Sequence, residues 1–271
     1  MDAIEVRSQS DEFYLLSSIR YDTEMEWRPS KQADSDLDVD FDTPLFLISY
    51  HLDRLRRAAD AFGWDKAAES LSGDGALSRF RTACEEAVTN GPHPISQIRY
   101  LVNKDGDHRL EVSPIGRRPF DLLNISSRAP REFTTWPTQY APILDIYLDP
   151  VPTPSSNFTS YKTTIRDHYN EARERARINS PSAAVEVILY NEEGKITEGS
   201  LRNIAVFRNG SWVTPPLSTG CLGGVVRSWM IKHGRVREAE IMIGELIVGE
   251  WVLISNAVEG IGLGLFRGTR H

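Results

Sequence analysis

Residues 158–166 read FTSYKTTIR. A lysine amine attacks a carbonyl carbon only after losing its proton, and Lys162 stands among hydroxyl residues directly before a segment that reads as a helix. An ammonium placed there faces the positive end of the helix macrodipole, and partial burial disfavours its charge further, so both effects lower its pKa. By local composition alone, a lysine after a linker reads as a surface cation. A second stretch, PPLSTGCLGGVVR (215–227), sets two glycines before a helix. Such a junction lets the backbone approach a ligand closely, and the free N–H groups of a first helical turn suit an anion such as phosphate. It is neither a Walker loop, lacking the Lys-Ser/Thr ending, nor GxGxxG. The third stretch, ITEGSLRNI, puts Glu198 beside Gly199 in a strand context, where a glutamate ordinarily faces solvent.

The elements that must position these residues follow from periodicity and turn chemistry. FYLLSSIRY (13–21) and PLFLISY (44–50) read as strands, joined by the acidic surface connection DSDLDVDFD. With Ser49 as its cap, a helix carrying Leu52, Leu55, Ala59 and Phe62 on one face ends at Gly63. Leu77, Phe80, Cys84, Ala87 and Val88 predict a second helix over 74–89. QIRYLVNKDGDHRLEVSPI (97–115) alternates on both sides of an Asp-Gly turn and predicts a hairpin. A Pro- and Arg-containing stretch (116–142) precedes a strand over 143–148. DPVPTPSSN (149–157) has linker composition, which divides the chain into a domain over 1–148 and another over 158–271. In the second, Thr164 and Asp167 fit the capping pattern of a helix over 163–178. Strands follow over 184–190 and through LRNIAVFRNG, whose Asn-Gly pair marks a tight turn. VVRSWMIKHG is a helix, and EWVLISNAVEGIGLGLF is strand, turn, strand. The irregular alternation predicts an α+β fold of mixed layers, neither sandwich nor bundle.

The 271 residues are 40% hydrophobic, enough for a substantial core. Acidic and basic residues, 38 against 31, are intermixed at net charge −7, leaving no basic stripe for nucleic acid. Cys84 and Cys221 lie far apart and six histidines are scattered, so neither zinc spacing nor a disulfide framework is present, as suits a reducing compartment. MDAIEVRSQSDE lacks an apolar signal region, and no run approaches the ~18 apolar residues of a membrane span. These features predict a cytoplasmic protein with no structural metal and no membrane or nucleic-acid partner.

Taken in order, KTT, TEGSLRN, LGGVVR and ISNAVEGI resemble the signature of fold-type IV pyridoxal-phosphate enzymes, which include branched-chain and D-amino-acid aminotransferases and 4-amino-4-deoxychorismate lyases. The resemblance covers residues 162–261 and extends faintly into FYLLSSIRYD and HLDRLRRAA. It implies a two-domain architecture with the site at the domain interface, pyridoxal 5′-phosphate as cofactor, a small-molecule substrate, and a homodimer. By position, Lys162 is similar to the lysine that carries the cofactor and then moves protons at the substrate carbon. Glu198 is similar to the glutamate that pairs with the pyridine nitrogen and so keeps the ring an electron acceptor. LGGVVR resembles L-P-G-I-T-R, which would put the N–H groups of Val225 and Val226 on the phosphate, and Arg54 resembles the arginine that salt-bridges it. Ser255 and Asn256 occupy a turn that supplies a further phosphate or substrate contact.

Three departures stand out. Val226 takes the place of a threonine, Gly223 that of a proline, and the D-R-G lead-in before the first strand is missing. Arg20 lies where the lyase branch has T-T-A-R and reads either as a ligand for a substrate carboxylate or as an edge-strand surface arginine. Arg166 and Tyr169 either touch the cofactor's 3-hydroxyl or cap and pack. Because NAV and the spacing of Lys162, Arg166 and Tyr169 resemble the lyase branch, the resemblance implies aminodeoxychorismate lyase activity, with transamination of branched-chain or D-amino acids, or a non-catalytic role, as alternatives.

Overall fold

The computed structural model describes residues 13–24, 43–89, 93–118, 123 and 142–270. The opening twelve residues, the acidic connection DSDLDVDFD and most of the stretch 116–142 lie outside the described residues.

The first layer is an antiparallel sheet in the order β1 (Leu15–Asp22), β2 (Ile95–Val102), β3 (His108–Pro114). β1 pairs with β2 from Leu15↔Val102 to Asp22↔Ile95. The predicted β2–β3 hairpin is present, and its Gly106 has φ +84, with a Cβ there falling 2.8 Å from the Lys66 carbonyl oxygen. Three helices, α1 (Ile48–Ala61), α2 (Asp65–Ser70) and α3 (Ala76–Thr89), cover the sheet. Leu52, Leu55, Phe80, Cys84 and Val88 pack on Ile19 and Ile98, the contacts that the helical stripes anticipated.

PLFLISY departs from its reading as a strand. Only Leu45 bridges to Tyr21, Leu47 is left-handed at φ 53, and α1 begins at Ile48. Residues Leu45 to Ile48 are all fully buried, and a short run buried on every side carries no period that separates a strand from a helix start. Ser49 therefore lies inside α1, and Leu47 occupies the cap position without a side-chain cap.

The second layer is an eight-stranded sheet in the order β6 (Ile196–Gly199), β5 (Val185–Tyr190), β4 (Leu144–Leu148), β11 (Gly260–Thr269), β10 (Trp251–Asn256), β7 (Asn203–Arg208), β8 (Ser211–Thr214), β9 (Val236–Glu238). β4 is parallel to both β5 and β11. The β7–β8 turn uses Asn209 and Gly210 at positive φ, the pair that a tight hairpin of this twist requires. On this sheet α5 (Asp167–Arg175) packs Tyr169, Ala172 and Ala176 against Val187 and Leu189, and α6 (Val225–Lys232) packs Trp229 and Met230 against Ala205, Leu253 and Leu263.

The helix read over 163–178 is shorter than expected, and Thr164 does not cap it. α5 starts after Arg166, and Thr164 Oγ1 instead accepts the Tyr14 N–H at 3.1 Å. Thr163 bridges to Leu15, and Leu16 donates its N–H to the Lys162 carbonyl at 2.9 Å. The β-branched run Thr163-Thr164-Ile165 favours extended backbone over helix, so 162–164 lies along β1 and ties the two layers together. A short α4 (Asn157–Ser160) precedes it, closed by a capping box of Ser156 and Thr159.

Within 149–157, Asp149 is buried and takes Arg175 Nε at 2.8 Å and Nη2 at 2.7 Å, while Ser155 Oγ donates to the Thr219 carbonyl at 3.0 Å. We propose that the two sheets mark the two domains, joined through this segment, with β4 reaching from the first stretch of chain into the larger sheet. Among the described residues no helix is long and apolar enough to cross a membrane.

Candidate active site

A cavity of about 570 Å³ opens between the two sheets and is lined by Arg20, Arg54, Lys162, Glu198, Val225, Ser255 and Asn256, residues distant in sequence. Lys162 enters it from the extended segment between α4 and α5, locked through its carbonyl to β1. Its side chain faces the cavity yet lies deep in the protein. Burial first, then the Arg166 and Arg54 cations, bring its pKa down to about 7, against an opposing pull from Glu198. The amine is thus substantially neutral near pH 7, through enclosure and neighbouring cations more than through the helix dipole expected from sequence.

Glu198 is only 4% exposed, which rules out the solvent-facing strand position. Its Oε1 accepts from the Tyr169 hydroxyl at 2.6 Å and the Leu222 N–H at 3.1 Å, and its Oε2 from Asn203 Nδ2 at 3.2 Å. Burial pushes its pKa up to about 7, opposed by the Tyr169 and Leu222 hydrogen bonds and by Lys162. Asn203 also donates to the Leu222 carbonyl at 2.8 Å, so it fastens the glycine loop to β7. That loop passes so close that a Cβ on Gly224 would fall 1.8 Å from Asn203 Oδ1. Gly224 is the N-cap of α6, and Val225 and Val226 are its first two residues. Val225 lines the cavity, whereas the Val226 side chain is 1% exposed in the apolar cluster beneath, leaving the main chain as the part that can meet a ligand.

Arg54 reaches the cavity from α1 and donates from Nη2 to Ser17 Oγ at 2.8 Å. Burial and the nearby Arg57 lower its pKa to about 10, which keeps it a cation at neutral pH. Arg20 is 1% exposed, so it is no surface arginine; both Nε and Nη2 donate to Asp22 Oδ2, at 2.9 and 2.6 Å, and Nη1 to the Val258 carbonyl at 3.1 Å. Asn256 lines the cavity but also builds its own turn: Oδ1 accepts from Val258 N and Glu259 N, and Nδ2 donates to Glu259 Oε2 at 2.9 Å.

Arg118, Arg202 and Glu259 line the cavity although the sequence reading does not single them out, whereas it does single out Arg166. Arg202 pairs with Glu259 at 2.6 Å and Glu186 at 2.8 Å, and Arg118 pairs with Glu259 at 3.0 Å. Arg166 donates to the Ser200 carbonyl at 2.9 Å and lies 4.9 Å over the Tyr169 ring. Arg202 and Asn203 lie inside TEGSLRN and Glu259 closely follows ISN, so proximity to motif residues was a signal; nothing in sequence marked Arg118.

A buried lysine amine, a carboxylate fixed by three donors, the glycine-bounded start of α6 and the buried cation of Arg54 thus line one cavity. The profile of the family described as amino-transferase class IV matches residues 40–262, and the chain belongs to that family. Among its relatives, an aminodeoxychorismate lyase of Saccharomyces cerevisiae is 34% identical over 200 residues, 64% of this chain and 51% of that one. This chain therefore spans about half the length of the yeast protein. A Schizosaccharomyces pombe protein described as a candidate aminodeoxychorismate lyase is 28% identical over 228 residues, 83% of this chain and 86% of its own. In fold, the branched-chain amino acid aminotransferase from Escherichia coli superposes with TM-score 0.59 at 17% identity, over 93% of this chain and 75% of that one.

Proposed function

We propose that this protein is a pyridoxal 5′-phosphate-dependent lyase that converts 4-amino-4-deoxychorismate to 4-aminobenzoate and pyruvate, a step in making folate precursors. The observation that carries the choice of substrate is the cavity wall: Arg20, Arg117, Arg118, Arg166 and Arg202 line the space that holds Lys162 and Glu198. These are more guanidinium groups than the Asp22, Glu24, Glu186 and Glu259 carboxylates paired with them, and Arg166 is held by the Ser200 carbonyl. A substrate with two carboxylates suits such a wall, and a branched aliphatic side chain does not. The names borne by the two yeast relatives point the same way.

The residues present fit the cofactor. Lys162 offers an amine with pKa about 7 for its aldehyde. Glu198 is aimed by Tyr169, Leu222 and Asn203 to accept the hydrogen of a protonated ring nitrogen. Arg54 and the N–H groups of Val225 and Val226 would hold its phosphate, with Ser255 and Asn256 at the neighbouring end of β10. When bound, the cofactor supplies an electron sink for the substrate carbon that bears the amine. Lys162 would take the proton from that carbon and leave its electron pair behind. The C–O bond to the neighbouring enolpyruvyl group then breaks, the departing enolpyruvate takes up a proton to become pyruvate, and the ring becomes aromatic. The arginine wall holds the two carboxylates so that this C–H bond meets Lys162. The same reading takes the protein as a cytoplasmic homodimer, which sedimentation of the loaded enzyme would test.

The deciding experiment supplies purified protein and pyridoxal 5′-phosphate with chorismate and an amidotransferase, and follows fluorescent 4-aminobenzoate beside keto-acid formation from common amino acids. A yellow protein whose band disappears on borohydride reduction and which makes 4-aminobenzoate is expected. Keto acids alone would reassign it to transamination, and a protein that stays colourless would remove the cofactor reading.

A further inference from the structure

Arg54 is anchored in an unusual way for a buried cation. Its Nη2 donates to Ser17 Oγ on β1 at 2.8 Å, and Ser17 Oγ lies 2.7 Å from Nδ1 of His51, one turn earlier on α1. Ser17 and His51 are fully buried and Arg54 is 6% exposed. Among the described residues no carboxylate pairs with Arg54, and its Nε is buried without a partner. A guanidinium has donors only, so the serine oxygen accepts from Arg54, and the direction of the Ser17–His51 bond is set by the imidazole tautomer. With the ring hydrogen on Nε2, a neutral imidazole accepts the serine hydrogen on Nδ1. Burial, with the Arg54 and Lys162 cations adding to it, holds the His51 pKa well below its ordinary value, while the Phe46 carbonyl acts in the opposite direction.

We propose that Ser17 and His51 are positioning residues for Arg54, a neutral hydroxyl–imidazole pair that orients the guanidinium without neutralising it and leaves its remaining donors to the cofactor phosphate. The inference rests on the cofactor reading above. A carboxylate at Ser17 would orient Arg54 equally well, but a phosphate dianion would then have to compete with it for the same charge. The chain Arg54–Ser17–His51 avoids that competition, and each hydrogen bond in it polarises the next. His51 and Arg54, three residues apart on α1, lie on one helix face, so one strand hydroxyl can meet both.

The test compares binding of pyridoxal 5′-phosphate with that of pyridoxal, which lacks the phosphate, to the apoprotein, followed by the visible absorbance band. Ser17→Ala and His51→Leu are expected to weaken the phosphate ester by about tenfold, the size of one charge-assisted hydrogen bond, and to leave pyridoxal unchanged. His51→Asn, whose amide oxygen can take the serine hydrogen where Nδ1 stood, is expected to restore binding. In an Arg54→Gln background Ser17→Ala should have no further effect. Equal weakening of both ligands would show a merely structural role and overturn the proposal. Loss of phosphate preference in Arg54→Gln but not in Ser17→Ala would overturn the positioning role and leave the cofactor reading standing. An Arg54→Gln protein that keeps its phosphate preference would overturn the phosphate placement and the proposal together.

Discussion

The Tyr169 hydroxyl donates to Glu198 Oε1 at 2.6 Å, joining the helix that follows Lys162 to the strand that carries the carboxylate. Both groups are fully enclosed, and Tyr169 is itself pushed well above its ordinary pKa by burial and by Glu198, so it remains a donor across the physiological range. One bond thus aims the carboxylate and counters the burial that would protonate it.

Tyr169→Phe removes that donor and raises the Glu198 pKa further. The variant is expected to fold, since the ring keeps its packing against Ala172 and Val187, and to lose about tenfold in kcat, the equivalent of roughly 1.4 kcal/mol. Steady-state kinetics check it; an unchanged rate would show that the bond is not used in turnover.

Lys162→Ala is expected to abolish turnover in a folded protein. Lys162→Met goes further and should stabilise the cofactor-free protein at pH 6. The lysine pKa falls from 10.5 to about 7 on folding, so between these values the unfolded chain binds more protons and stability rises with pH. The lysine's contribution is fully present above pH 10.5 and gone below about 7, where methionine gains most. Glu198, raised from 4.5 to about 7, works in reverse: its contribution is present below 4.5 and lost as pH rises through 7. Urea midpoints at pH 6 and pH 10 read both, and a gain for methionine that grows toward pH 10 would contradict the assignment.

Adjacent glycines are predicted to respond differently. Gly224→Ala would place a methyl 1.8 Å from Asn203 Oδ1, whereas at Gly223 the nearest atom is Leu217 Cδ2 at 3.6 Å. The first change should cost about 2–3 kcal/mol and unseat the Asn203 contact to Glu198, and the second should stay within about 0.5 kcal/mol. Denaturant unfolding of the two variants separates them.

Arg118 and Arg202 share Glu259, but only Arg202 also pairs with the fully buried Glu186. Arg202→Met leaves the buried Glu186 with the Val187 N–H and the Ser200 N–H and hydroxyl on Oε1 but without its ion-pair partner on Oε2, and should destabilise the fold by about 2–3 kcal/mol. Arg118→Met leaves the fold intact and should raise KM for the proposed dicarboxylate substrate, 4-amino-4-deoxychorismate, several-fold with kcat little changed. Equal thermal shifts in the two variants would argue against this division of labour.

The site was more legible in sequence than its supports were. Lys162, Glu198 and the glycine loop each read locally as surface or loop residues and stood out only because their order resembles a family signature, and the structure gathers them in one cavity. Local spacing also sufficed for the β2–β3 hairpin and for α3. It failed for PLFLISY, where complete burial erases periodicity, and for Thr164, which serves a backbone N–H on a remote strand. Arg20 was ambiguous because its partner, Asp22, sits on the same face of β1 two residues on, a spacing that says nothing about depth. The Arg118–Glu259–Arg202 ladder and the Ser17–His51 pair depend on contacts that only the assembled layers create.

β11 lies at the heart of the larger sheet, parallel to β4 on one side and antiparallel to β10 on the other, with Gly264 so near Ile146 that any side chain there would collide. Remove that strand and the sheet falls into two pieces, β6-β5-β4 and β10-β7-β8-β9. During translation β4 leaves the ribosome long before its partner, and waits with an open edge until residues 260–269 arrive. Assembly of this layer is therefore held back until residues 260–269 are made, and a chaperone that shields strand edges should raise the yield of folded protein.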